Sequence, residues 1–454
     1  MKKVLIIAYY FPPMAGGGVQ RVLKFVKYMQ RFNYQPVVLS AAAPFETHDE
    51  TLMNDIPEGI KIFRTNNFNV YMPLELILAF LKRFLVLGNS NASGSPNLSQ
   101  AAQITFRDKL KALTFPFPDP QAGWIATALP IGLRAIREEK VDLIYATTSP
   151  NSGLVLGSLL KKLTGKPLVL DYRDPWIQWY FMEKWERIRW RYRIEKALER
   201  KVLKLADKVL NVNDSLQQKQ QQEFPDVDRN KFLVLPNGFD HDDFGDLHPV
   251  KREKGKFRLL YFGKFYAKRS PRPFLKALSH LLLENPDLRK KVEVFFLGEY
   301  DEPGSNANKD FLSSHNLGDT VKVLGYLPHR NALSEAMASD ALLFIVGKQH
   351  GSESITTGKI FEYMALSKPV FACVPDGISR EIIEDARLGM VTSSEDSEQI
   401  KKDLLIFIKT YSKVNYIFQP NREFINNYDR EKLTQRLCEL FDSILHHTRH
   451  DGNQ

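Results

Sequence analysis

Two cysteines in 454 residues, Cys373 and Cys438, are too few for a disulfide framework or a Cys-rich zinc site. So little thiol chemistry fits a reducing compartment, most simply a cytoplasm. Long hydrophobic runs are also missing. A membrane-spanning helix needs about 20 apolar residues, and the best stretch, Pro73 to Gly88, is interrupted by Glu75, Lys82 and Arg83. There is no short-period repeat, no nucleic-acid recognition module and no RNA-binding aromatic motif. No Asp-x-Asp pair suited to a divalent cation stands near a strand end. The apolar share of 43% and charged share of 26% exclude a wholly disordered or collagen-like chain.

What is present is a basic, domain-sized chain. The 63 Lys and Arg outnumber the 53 Asp and Glu, for a net charge of +10. That balance favours anionic partners such as acidic lipid or phosphorylated small molecules. Acidic residues are interspersed almost everywhere, so nucleic acid is not expected as a partner. The length suggests two or three domains. Met1 to Ala8 looks superficially like the start of a signal peptide. Its apolar run is short and Pro12-Pro13 follows at once, so it reads as a first strand.

The apolar pattern alternates between strands and helices. Val4–Ala8 is a continuous run of the kind found in strands buried on both faces. Ala15 to Gly18 turns the chain, and Val19, Val22, Leu23, Val26 and Met29 then repeat at helical spacing. Val37–Ser40 is the next strand, which completes a βαβ unit. Further strands are expected at 142–146, 167–171, 209–212 and 232–235, with helices at 184–206 and 215–223. The alternation restarts near Phe257, with strands at 258–262, 292–297, 321–324, 341–346 and 370–372. Two such sets imply an α/β protein with two doubly wound parallel sheets. His241 to Gly255 has no clear period and reads as the hinge. Asn89–Gln103 reads as a surface loop, Glu423–Leu445 as a helix, and His446–Gln454 as a frayed end.

Ligands of doubly wound sheets bind beyond the carboxyl ends of the strands, so those positions hold the candidate chemistry. Gly16, Gly17 and Gly18 follow the first strand, where glycine allows close backbone approach to a phosphate or sugar. They lack the spacing of a dinucleotide fingerprint. Asp171 to Trp176 follows another strand and places two carboxylates, Arg173 and aromatic rings together, or else forms a structural ion pair. Lys264, Lys268 and Arg269 follow the first strand of the second half and suit a diphosphate. In Ser352 to Ala365, Thr356 or Thr357 can cap a helix whose free N–H groups hold phosphate. Glu362 lies one turn inside that helix and leans back toward its start, within reach of a sugar hydroxyl.

Taken in order, these segments resemble the GT-B glycosyltransferases of the large retaining family 4, which build bacterial polysaccharides. The likeness rests on Tyr9-Tyr10-Phe11-Pro12-Pro13 and its glycine turn, Asp171 to Trp176, the helix from Glu195 to Asp207, and Leu235 to Asp240. It continues through Lys359-x-x-Glu362-Tyr363-Met364-Ala365 and Lys368-Pro369-Val370. It implies two Rossmann-like domains facing across a cleft. Residues 1–244 would form the acceptor domain and 245–416 the sugar-nucleotide domain, with a C-terminal helix at 417–454 returning to the first.

The resemblance also implies roles. Glu362 would bind the donor ribose, and Lys264 and Arg269 would neutralise the diphosphate. Tyr326-Leu327 would lie near the base, and Gly16–Gly18 near the phosphates or sugar. Ser354, Thr357, Gly358 and Lys359 would complete the donor site, with no cofactor. The family's first motif glutamate would stand at 354, where this chain has Ser354; Glu353 or backbone amides would take its task. A family histidine is replaced at Arg173, so Arg173 or Asp174 would meet the donor sugar. The implied reaction is metal-independent, retaining hexosyl transfer to a hydroxyl by front-face attack, with the leaving phosphate accepting the proton. The acceptor would be a saccharide or lipid-linked. Three rivals are an epimerase on the same fold, a nucleic-acid-binding protein and a non-catalytic sugar-nucleotide-binding subunit. Aromatic and cationic residues in 180–204, with Trp185, Ile188 and Tyr192 on one face, and in 73–88 suggest peripheral contact with the inner face of an anionic membrane.

Overall fold

The computed structural model describes residues 1–42, 48–67, 115–177, 188–252, 255–265, 269–302, 304–349, 351–413 and 416–451. The amphipathic stretch 73–88, the loop 89–103, Trp185, and Tyr266 to Lys268 lie outside these residues. The chain divides into two compact units, Met1–Leu235 with Thr434–Gln454, and Pro236–Leu433.

The first unit runs β1 (Lys2–Ile7), α1 (Gly17–Met29), β2 (Tyr34–Ala42), β3 (Lys61–Asn66), α2 (Gly123–Glu139), β4 (Leu143–Thr147), α3 (Ser152–Thr164) and β5 (Leu168–Tyr172). It continues with α4 (Arg189–Leu205), β6 (Lys208–Asn211), α5 (Asp214–Glu223) and β7 (Phe232–Val234). The seven strands are parallel, in the order β3-β2-β1-β4-β5-β6-β7. The order reverses between β1 and β4, which places their carboxyl ends at a switch point, with β5 next to it.

The second unit runs β8 (Phe257–Phe262), α6 (Arg272–Glu284), β9 (Val292–Leu297), α7 (Ala307–Ser314), β10 (Val321–Gly325), α8 (His329–Ala338) and β11 (Ala341–Ile345). Then come α9 (Gly358–Leu366), β12 (Val370–Cys373), α10 (Ile378–Asp385), β13 (Gly389–Thr392), α11 (Ser397–Tyr411), α12 (Arg422–Asn426) and α13 (Arg430–Asp451). Its six parallel strands are ordered β10-β9-β8-β11-β12-β13.

The near-continuous apolar runs follow from burial on both faces. In the second sheet Leu259, Tyr261, Val294, Phe296, Leu343 and Ile345 enter one core. Their sequence neighbours Leu260, Phe262, Phe295, Leu297, Leu342 and Phe344 enter the other. The strand period of two makes this division. Each such side chain contributes about 1.5–3 kcal/mol on full burial.

Several boundaries differ from those the sequence suggests. β3 and β13 are edge strands; mixed polar and apolar residues conceal the first, and a length of four residues conceals the second. The first unit ends at Leu235, because Phe239 already packs in the second core. The C-terminal helix pattern is two helices, broken at Asn427–Asp429, where Phe239 and Arg430 exchange a backbone bond of 2.8 Å. The α13 span extends past His446 to Asp451, with no glycine or proline before Gly452. From Thr434 onward it belongs to the first unit. There Phe441 meets Tyr34 and Tyr145, and the Tyr34 hydroxyl donates to Asp442 at 2.7 Å.

The aromatic face expected on α4 is inverted. Ile188 is buried against Phe115, and the Tyr192 hydroxyl donates to Glu223 at 2.7 Å. The exposed apolar residues are Trp190, Ile194 and Leu205. The inward face instead fits Arg191, which pairs with Glu195 at 2.8 Å and stacks on Phe117. No helix among the described residues is long and apolar enough to cross a membrane.

Candidate functional site

Each unit collects sequence-predicted residues at the carboxyl ends of its strands. In the first unit β1 runs into Tyr9 and Tyr10, whose rings meet edge to face. Gly16 precedes α1 at φ +130°, a conformation that favours glycine. Gly18 is ordinary in backbone, but the Arg173 guanidinium lies directly against it: a Cβ there would come within 1.9 Å of Nη1. The glycine turn expected to face a phosphate is thus partly covered by Arg173.

Arg173 is held by main-chain oxygens. Its Nε donates to the Thr148 carbonyl and its Nη2 to the Ser149 carbonyl at 3.0 Å. Asp174 accepts from the Ser149 hydroxyl at 3.1 Å, and burial pushes its carboxyl above the usual range. Asp171, grouped with these two by sequence, faces the other way. It takes the buried Arg21 guanidinium in two bonds, of 2.9 and 2.8 Å, and accepts from Thr147. Burial opposes its ionisation, but Arg21 and the hydrogen bonds prevail and hold its pKa below the usual range. Asp171 therefore clamps α1 to the sheet.

Asp119 was not legible as a site residue. It binds the Ser152 amide at 2.7 Å and the Ser152 hydroxyl at 2.5 Å at the start of α3, and burial raises its pKa. Its partners lie too far along the chain for a local pattern to reveal.

In the second unit, β8, β9 and β10 end on Gly263, Gly298 and Gly325, with φ +135°, +105° and +73°. A Cβ on Gly298 would come within 2.3 Å of the Gly263 carbonyl oxygen. A Cβ on Gly263 would come within 1.8 Å of the Lys359 ammonium. Positive φ favours bare backbone at all three strand ends, and contact with the Gly263 backbone requires it at Gly298 as well.

Lys359 starts α9. The residue is partly buried, and its Nζ donates to the Tyr261 hydroxyl at 3.1 Å, 4.6 Å from the centre of that ring. Thr357 is the N-cap residue of α9, although its side chain makes no cap bond; its hydroxyl is buried without a partner among the described residues. Glu362 accepts from His329 Nε2 at 2.8 Å. His329 opens α8 directly after Tyr326, Leu327 and Pro328; Tyr326 is 78% exposed, while Leu327 packs on the core.

Two other predicted residues, Lys264 and Glu353, do not join this group. Lys264 pairs with Glu299 in an exposed contact. Glu353 lies in a one-turn helix, Ser352–Ser354, and lines a cavity of about 600 Å³ with Lys348, Asp376 and Arg380. Arg269 is close enough to Lys359 to oppose its charge. Tyr261 and His329 were missed, since a strand tyrosine and a histidine at a helix start carry no local signal of a site. Among the described residues no group of three or more His, Cys, Asp or Glu is arranged to hold a metal ion.

Two family models match in succession, "Glycosyltransferase Family 4" over residues 93–243 and "Glycosyl transferases group 1" over residues 245–427. No curated protein matches the sequence. Among solved structures, a glycosyltransferase from Rickettsia africae is similar at 15% identity, with 98% of each chain covered and a TM-score of 0.63. Anabaena HepE in complex with UDP-glucose is similar at 17% identity, covering 98% of this chain and 100% of that one, with a TM-score of 0.61. Sucrose-phosphate synthase from Thermosynechococcus elongatus gives 13%, 98%, 99% and 0.61 in the same terms.

Proposed function

Because the chain belongs to the GT-B glycosyltransferases of the family 4 type, we propose that it moves a sugar from a nucleoside diphosphate sugar to a hydroxyl, with retention, in cell-surface polysaccharide synthesis. The acceptor is a saccharide or is lipid-linked. The observation that carries the donor assignment is the convergence, at the ends of β8 to β10, of bare glycine backbone, an inward-turned lysine and the start of α9. Such a corner suits a diphosphate, because helix N–H groups and a cation meet its charge while glycine permits close approach. The UDP-glucose held by HepE, a protein of the same fold, supports a sugar nucleotide as ligand.

In this reading Glu362 accepts hydrogen bonds from the ribose, with its carboxylate oriented by His329. The exposed Tyr326 and the neighbouring backbone meet the base. Lys359, Arg269 and the α9 N-terminus stabilise negative charge as the diphosphate departs, a preorganised electrostatic effect that does the work of a metal ion. Lys264 joins them by leaving Glu299. In the first unit Arg173 and Asp174 are the proposed catalytic groups. The departing phosphate accepts the acceptor's proton as the new glycosidic bond forms.

We also propose peripheral contact with the inner face of an anionic membrane. Trp190, Ile194 and Leu205 are exposed on α4, near the exposed cations Arg189, Arg193 and Lys201.

A donor panel tests the central reading. Thermal shift with UDP-, GDP-, TDP- and CMP-sugars, then product analysis with an added lipid-linked acceptor, should find one stabilising donor and a glycosylated product. A product formed from donor alone, with the sugar epimerised, would replace transfer by epimerisation. Donor binding without any product would indicate a non-catalytic subunit.

A further inference from the structure

We infer that Lys359 is a diphosphate-binding residue whose ammonium is completed by the ligand: the amine takes a proton from solvent as a nucleoside diphosphate binds. This rests on the donor reading above and goes beyond it by coupling the site to pH.

The geometry comes first. Lys359 Nζ lies against the Gly263 backbone, at the point where β8 ends, and the residue is largely withdrawn from solvent. Among the described residues its hydrogen-bond partner is the neutral Tyr261 hydroxyl, and no carboxylate forms an ion pair with it. A lone buried ammonium is unfavourable. The groups facing it are Tyr261 from β8, Arg269 from the segment after β8, and Glu362 on its own helix. Burial, followed by repulsion from Arg269, lowers its pKa to about 7, against a smaller opposing effect of Glu362. Lys264, by contrast, is exposed and paired with Glu299.

A diphosphate beside the amine supplies the missing opposite charge and favours the ammonium. The buried Thr357 hydroxyl and the free N–H groups of α9 lie at the start of the same helix. They offer the anion uncharged donors while Lys359 supplies charge. Binding and protonation are then linked. Affinity is greatest below the free amine's pKa and falls as pH rises above it, until the pKa of the bound state is reached.

Isothermal calorimetry with UDP, GDP and TDP, at about pH 8 in two buffers of different ionisation enthalpy, reads the proton directly. At that pH the terminal phosphate of each nucleotide is already ionised. The wild-type protein should take up close to one proton per nucleotide. Its affinity should fall by up to about tenfold per pH unit between roughly pH 7.5 and 9. Lys359→Met keeps the stem and removes the amine, so it should abolish the uptake and weaken binding tenfold or more. Lys264→Met should retain the uptake. Unchanged uptake in Lys359→Met, or wild-type affinity independent of pH, overturns the inference while leaving the donor reading intact. If no nucleotide binds wild-type protein, the donor reading fails and this inference with it.

Discussion

The Arg173 guanidinium occupies the space that a side chain on Gly18 would fill, 1.9 Å from the position of its Cβ. Two motifs separated by most of the first unit are thus one device. The glycine turn leaves the room, and the residue after β5 uses it. Carbonyls of Thr148 and Ser149 fix the other side of the guanidinium.

Gly18→Ala should therefore displace Arg173 and leave the fold. The overlap is with the far end of a flexible side chain, and alanine in a helix gains about 0.5–1 kcal/mol over glycine. Transfer should slow by roughly ten- to a hundred-fold, as expected when a reacting group is misplaced by about 1 Å. Gly16→Ala makes the contrast. It meets no neighbour within 4 Å but stands at φ +130° and ψ +161°, so it should cost roughly 1–3 kcal/mol of stability. Melting curves with single-turnover rates separate the two. Normal turnover in Gly18→Ala would show that the position of Arg173 is irrelevant.

Glu362→Ala should weaken donor binding by about 1.5–3 kcal/mol, the scale of a charge-assisted hydrogen bond, with the melting temperature nearly unchanged. His329→Ala should weaken it less, because the carboxylate remains but loses its 2.8 Å partner. Calorimetry with the stabilising donor gives both numbers. Equal affinity in Glu362→Ala would remove the ribose assignment.

Asp171→Ala should be a folding defect. It would leave Arg21 buried without its carboxylate, a loss of about 3–5 kcal/mol. Pairing Asp171→Leu with Arg21→Met should recover much of this, since both charges then leave together. Urea denaturation measures each variant. A small loss in Asp171→Ala, with activity abolished, would return Asp171 to the reacting centre.

Glu199 gives a pH signature. Burial raises its pKa to about 8, although Gln220 and the Ile177 amide donate to it. The unfolded chain ionises this group near the ordinary value of about 4.3, while the native state keeps the proton. Its contribution is complete below that value and is lost as pH rises, levelling off above about 8. Glu199→Gln should remove that part of the slope, so the variant gains on wild type between pH 5 and pH 8. Parallel denaturation curves at those two pH values would contradict this.

Anionic vesicles should sediment the protein at low salt, and neutral vesicles should do so less well. Cations near anionic lipid contribute about 1 kcal/mol each. Trp190→Ser with Ile194→Ser should reduce recovery, while changes at Ile188 should act through stability because that residue is buried against Phe115. Equal recovery with both lipid types would exclude an electrostatic contribution.

The chain by itself determined the two parallel sheets. Strands such as β8 and β11 are covered on both faces, so every residue in them is apolar or held by a pair, and a run of that kind can be read locally. It also marked the strand ends, because Gly263, Lys264 and Arg269 stand where an apolar run stops. Edge strands β3 and β13 were not legible, since polar residues erase the pattern in β3 and β13 is only four residues long. Nor could sequence separate the two aspartates around Arg173. Asp171 belongs to Arg21, 150 positions earlier, and Asp174 to Ser149. The inward turn of Lys359 was equally beyond it. That depends on Tyr261 and Gly263 arriving beneath α9, and side-chain direction, burial and charge partner are properties of the packed molecule that spacing along the chain does not carry.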